Sequence, residues 1–149
     1  MKKHALALGF LAASGLSSPL LADDANPDIH VYKSPTCGCC EGWVDHLKDS
    51  GFNVEVTDTN NLNRIKADAG LTPALASCHT AFIGDYVIEG HVPARDIRRL
   101  IAESPQARGL SAPGMPVGSP GMEMGNRKDH YKIMLFNSAG QSRVFSEYN

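Results

Sequence analysis

Three of the four cysteines of this chain fall within four consecutive residues, Cys37-Gly38-Cys39-Cys40, and the fourth is Cys78. A disulfide between positions this close removes almost no entropy from the unfolded chain, whereas cross-links that stabilise strongly close long loops. The cluster is a poor staple and reads as chemistry. Its flanks set the local fold: Ile29 to Lys33 (IHVYK) is rich in β-formers and runs through the Ser34-Pro35-Thr36 turn into a helix that Cys37 to Cys40 open.

At such a strand-to-helix corner the free amide groups and the helix dipole favour negative charge. Thiols there lose protons more readily and become both nucleophiles and metal ligands. Gly38 lets the chain bend tightly between the sulfurs. Cys37 and Cys40 keep the spacing of a redox-active Cys-x-x-Cys pair, so a thiol-disulfide oxidoreductase is a competing reading. Cys39 argues against it, because a third thiol between exchanging partners would capture mixed disulfides. Three adjacent soft donors suit a soft ion. Copper(I) leads, since thiolates and thioethers select it and it accepts bridging sulfurs. Zinc also takes cysteine and histidine, but adjacent Cys39 and Cys40 are an awkward way to build one tetrahedron.

The rest of the chain extends this corner into an α/β pattern. Cys40, Trp43, Val44 and Leu47 recur at helical spacing, and Gly51 ends that helix. Phe52, Val54 and Val56 alternate as a strand over 52–57. Asn60 or Asn61 caps a short helix with Leu62, Ile65 and Ala69 on one face, closed by Gly70. Thr80 to Ile83 and Tyr86 to Glu89 form a hairpin through Gly84-Asp85. Pro93 suits a first helical position, and Ile97, Leu100 and Ile101 face the core from a third helix ending near Ser104. The order β-α-β-α-β-β-α, with cysteines at the first strand-to-helix junction, predicts a thioredoxin-like architecture. Residues 105–125 form a Pro/Gly/Met-rich loop too irregular for helix or strand. Tyr131 to Phe136 with Arg143 to Tyr148 read as a C-terminal β-hairpin.

Further ligands are expected near the cluster. Cys78 and His79 precede the third predicted strand, where thioredoxin-like folds usually carry a cis-proline packed against the cysteine pair. If the register holds, a fourth sulfur joins the cluster; the plainer roles are a small buried hydrophobe for Cys78 and a turn residue for His79. His91 leads into the third helix, as a ligand or as its cap. His46 shares a stripe with Cys39 and Trp43, which suits a supporting or surface role, while His30 and His130 read as ordinary exposed positions. Met115, Met122 and Met124 are three of five methionines and lie in the irregular segment. A thioether is soft, neutral and indifferent to pH, so Met115 and Met122 are candidate copper ligands, with simple packing as the alternative.

The N-terminus has the anatomy of a cleavable export signal. Lys2 and Lys3 precede an uncharged run from Ala5 to Ala22, interrupted by Gly9, Gly15 and Pro19 and followed by Asp23 and Asp24. Residues 1–22 are therefore expected to be removed, leaving 23–149 as one domain with no stable membrane span. Cleavage takes two lysines and no acid, so 12 basic residues face 16 acidic ones, which excludes a general nucleic-acid binder. The remaining 127 residues are enough to bury a core without disulfides.

Three segments, YKSPTCGCCEGWVDHLKDSGF, LASCHTAFIGDYVIEGHVPARDIRRL and GLSAPGMPVGSPGME, closely resemble the periplasmic CopG family of copper-resistance proteins, from about Ile29 to the C-terminal hairpin. The resemblance implies a thioredoxin-like fold and a multinuclear copper cluster bridged by cysteine sulfurs, with a role in interconverting copper(I) and copper(II). Carried over, Cys37, Cys39, Cys40 and Cys78 are the bridging ligands. Placement adds His79, His91, Met115 and Met122 as terminal ligands. Copper ions are the expected cargo, and a copper efflux pump or multicopper oxidase the expected company. A passive copper store or chaperone remains the alternative to a copper oxidoreductase.

Overall fold

The computed structural model describes residues 26–149; the expected signal, 1–22, lies outside the described residues. The chain runs β1 (Asp28–Lys33), α1 (Gly38–Asp49), β2 (Asn53–Asp58), α2 (Leu62–Asp68), β3 (Thr80–Ile83), β4 (Tyr86–Glu89) and α3 (Ala94–Glu103). It then adds β5 (Gly109–Ser111), β6 (Tyr131–Phe136) and β7 (Ser142–Tyr148). All seven strands form one mixed sheet in the order β2-β1-β3-β4-β5-β6-β7. β1 pairs parallel with β2 and antiparallel with β3, and the β3–β4 hairpin closes with Ile83 opposite Tyr86. Among the described residues, no helix is long and apolar enough to cross a membrane.

Alternation along the strands sends successive side chains to opposite faces of the sheet. Ala81, Ile88 and Leu135 join the main core with Trp43, Val44 and Leu47 of α1 and Ile97 and Leu100 of α3. Their neighbours Phe82, Val87 and Phe136 turn to a smaller cluster with Ala69 and Leu75. The stripe Cys40, Trp43, Val44 and Leu47 is wholly buried. Each such aliphatic or aromatic side chain withdrawn from water contributes roughly 1.5–3 kcal/mol.

Three sequence expectations need correction. The segment 105–125 is not wholly irregular: Gly109–Ser111 forms β5, parallel to β4 and antiparallel to β6, and so splices the C-terminal hairpin to the rest of the sheet. Gly109 permits this because a Cβ there would overlap the Val87 backbone. α2 buries no residue of its own; Leu62 and Ile65 are half-buried, and only Ala69, just past its end, is in the core. Pro93 precedes α3 as its N-cap instead of starting it.

Candidate metal centre

The α1 corner forms as its sequence suggests. Cys37 is the N-cap, its amide donating to Ser34 O at 3.1 Å, and no side chain caps the first turn. The helix N-terminus therefore presents free amides and its dipole toward the sulfurs. Lys33, at the end of β1, fixes the corner from below. Only 1% exposed, its Nζ reaches Glu41 in the first turn of α1 at 2.6 Å and Asp58 at the end of β2 at 2.7 Å.

The fold brings four sulfurs from two distant segments into one place. Cys37 and Cys40 form a disulfide, and Cys39 and Cys78 are free thiols. Cys37 Sγ lies 3.6 Å from Cys39 Sγ, Cys40 Sγ lies 3.5 Å from Cys78 Sγ, and all four fall within 4.8 Å of one another. Burial, with the neighbouring Cys39 adding to it, pushes the Cys78 thiol up to about 12. Without a cation beside it, Cys78 keeps its proton at neutral pH.

Two imidazoles converge on the same sulfur. Cys78 Sγ is 3.2 Å from His79 Nδ1 and 3.0 Å from His91 Nε2, and the three residues form a second group within 4.8 Å. His91 Nδ1–H donates to Pro120 O at 2.7 Å. A carbonyl only accepts, so the proton sits on Nδ1 and the Nε2 lone pair faces the sulfur, the orientation a metal-binding histidine requires. His79 is fully buried and packs on the Trp43 ring at 4.3 Å, yet its Nε2 has no hydrogen-bond partner. Burial lowers the pKa of both rings, and the nearby His91 lowers that of His79 further. Both are neutral at physiological pH, the state in which imidazole ligates.

Surrounding backbone holds this arrangement. Glu89 Oε1, fully buried, accepts from Ser77 N at 2.6 Å and from Lys66 Nζ at 2.5 Å, and its Oε2 accepts from Thr80 Oγ1 at 2.7 Å. The carboxylate thus pins the residues on both sides of Cys78 and His79. From the other side, Gly121 lies against the first turn of α1. At Gly121, with φ +81°, a Cβ would stand 2.6 Å from both Cys39 O and Trp43 N.

Met122 is half-buried beside Gly121, its amide donating to Ser119 O at 2.8 Å. Met115 is 53% exposed and lines a surface depression with His130 and Met134. His130 pairs with Glu147 at 2.8 Å, and His30 bonds Thr57 at 2.8 Å. His91 does not cap α3. His46 does, its Nε2 accepting the Ala94 amide at 3.0 Å. The signal for that role was present: Pro93 has no side-chain acceptor, so the first amides of α3 need one from elsewhere. Nothing in the local sequence marks Pro120 O, Gly121 or Glu89, whose partners are distant in the chain.

A family model described as protein of unknown function, DUF411, matches residues 75–122. That span holds Cys78, His79, His91 and the loop over α1. No curated protein matches the chain. Two solved structures do, both of copper resistance protein CopG. Form 2 is 40% identical with a TM-score of 0.80, covering 83% of this chain and 99% of that one. Form 1 is 41% identical with a TM-score of 0.79, covering 83% and 98%. With identity at that level sustained across nearly the whole length of those structures, the chain belongs to the CopG family of copper resistance proteins.

Proposed function

We propose that this chain is a periplasmic copper-binding protein of metal resistance. In this reading Cys37, Cys39, Cys40 and Cys78 bridge a multinuclear copper cluster, His79 and His91 are terminal ligands, and copper(I) and copper(II) interconvert there. The observation that carries it is the approach of four sulfurs to within 4.8 Å of one another, one of them brought from 38 residues away. The ligand chemistry agrees, since clustered thiolates with imidazoles select copper(I). The strand order β2-β1-β3-β4, with α1 leaving β1 at the cysteines, supports the thioredoxin-like assignment. The copper resistance function of the two CopG relatives supports both the cargo and the periplasmic address. Met122, half-buried beside the glycine packed on α1, and Met115, at the surface, are the candidate thioether donors. Delivery to an efflux pump or a multicopper oxidase is the exchange this arrangement suits.

The test is anaerobic titration of reduced residues 23–149 with copper(I) against a chromophoric chelator, with metal and thiol counts. More than one copper per chain, lost cooperatively in Cys39→Ser, is expected. No uptake by the reduced protein would refute the reading. Steady-state oxidation or reduction of copper then separates an oxidoreductase from a store. The Cys37–Cys40 disulfide favours a second reading, thiol-disulfide exchange. Under that reading Cys39→Ser leaves insulin reduction intact and copper is irrelevant.

A further inference from the structure

The sulfur cluster and the Cys78-His79-His91 group share one atom, Cys78 Sγ, but differ in their dependence on redox state. With Cys37 and Cys40 joined, two of the four bridging sulfurs are no longer thiolates, and a multinuclear cluster has lost half of its anionic donors. The second group loses nothing. Its sulfur is a free thiol, its two rings are fully buried, and His91 Nε2 and His79 Nδ1 stand 3.0 and 3.2 Å from that sulfur. Ligands bonded to one ion at about 2.0–2.3 Å stand about 3–4 Å from each other, so the spacing already fits a single metal. Two features hold the rings on that sulfur. Pro120 O fixes the His91 tautomer with Nε2 facing it, and His79 is fully buried against the Trp43 ring with Nδ1 facing it.

The geometry points to a second, mononuclear copper site made of Cys78, His79 and His91, which holds one ion when the Cys37–Cys40 disulfide is closed. This rests on the copper reading above. One sulfur and two imidazoles form a trigonal donor set that copper accepts in both oxidation states. The disulfide then acts as a switch on capacity. Two copper(II) ions each take one electron from the Cys37 and Cys40 thiols. The protons of both thiols left to solvent when copper bound, so one S–S bond forms and two copper(I) ions result. The surplus ions lose their bridging sulfurs and leave, while one remains on Cys78.

The experiment compares the full mature chain reduced and after oxidation with diamide, a thiol count of two confirming that Cys39 and Cys78 remain free. Both forms are titrated anaerobically with copper(I) against a chelator, and bound metal is counted by elemental analysis. The oxidised form is expected to retain one copper per chain. His91→Ala should weaken that binding by at least about tenfold, since even partners of ligating histidines matter by about 10- to 100-fold. His79→Gln is the second variant, with circular dichroism checking that each folds. If the oxidised chain binds none while the reduced chain binds several, or if His91→Ala and His79→Gln bind as wild type, the mononuclear site is refuted and the cluster stands. No binding by either form would instead refute the copper reading itself.

Discussion

His46, His79 and His91 all occupy surroundings that favour the uncharged ring, burial being the largest cause at each. A histidine whose folded pKa lies below its ordinary value of about 6.5 binds fewer protons folded than unfolded, so stability rises with pH. The contribution is complete above that ordinary value and is lost as pH falls through the lowered ones. The metal-free protein is therefore expected to show a lower urea midpoint at about pH 5 than at about pH 7.5. Part of this belongs to the α3 cap, because a protonated His46 Nε2 no longer accepts the Ala94 amide. His46→Ala should cost about 0.5–2 kcal/mol at neutral pH, as lost N-caps do, and flatten the acid slope. Identical midpoints at the two pH values would contradict this account. If His79 and His91 ligate copper as proposed, copper and protons compete for their nitrogens, and copper affinity falls with pH as well.

At the scale of elements, the segment after α3 joins the site to the sheet. β5 seats it beside β4, Pro120 O orients His91, and Gly121 lies against the first turn of α1. Gly121→Ala combines a left-handed backbone with a Cβ 2.6 Å from Cys39 O and Trp43 N. It should cost roughly 1–3 kcal/mol, and lifting the loop also releases the His91 ring. Denaturant midpoints and the copper dissociation rate check both effects; a destabilised variant with unchanged copper release would separate the loop from the site. The same segment shows what sequence can and cannot carry. α1 and its buried face were legible because four apolar positions repeat at helical spacing, and the β3–β4 hairpin because Gly84-Asp85 separates two β-rich runs. Cys78 was legible as a soft donor before a strand. β5 was not, since three residues between prolines and glycines have no period to detect, and the pairing that makes them a strand comes from Val87–Glu89 and Met134–Phe136. Local pattern likewise overrated α2, whose apolar face is real but only half-buried.

Among the described residues, 26–149, the question is whether β6 and β7 are an appendage or part of the same folding unit as the rest. Their side chains answer in physical terms. Ile133, Leu135 and Phe145 belong to the same core cluster as Trp43 and Leu100. From α3, Arg99 stacks on Phe145 at 3.9 Å and Arg95 on Tyr148 at 4.4 Å. Asp96, only 3% exposed, accepts from both Ser146 and Tyr148 at 2.5 Å. Removing the hairpin strips four core side chains, Ile133, Leu135, Phe136 and Phe145, at roughly 1.5–3 kcal/mol each, against a total stability of about 5–15 kcal/mol for a domain. It also leaves the Asp96 carboxylate without its donors, uncovers Leu110, and turns β5 into an open strand edge, where pairing with other chains begins. A chain ending before Tyr131 is thus expected to be unfolded or aggregated, although Cys37, Cys39, Cys40, Cys78, His79 and His91 are all retained. Circular dichroism, sedimentation and a urea transition on the truncated protein test this. A monomer that unfolds cooperatively and binds copper like the full chain would show that the site needs only the first five strands.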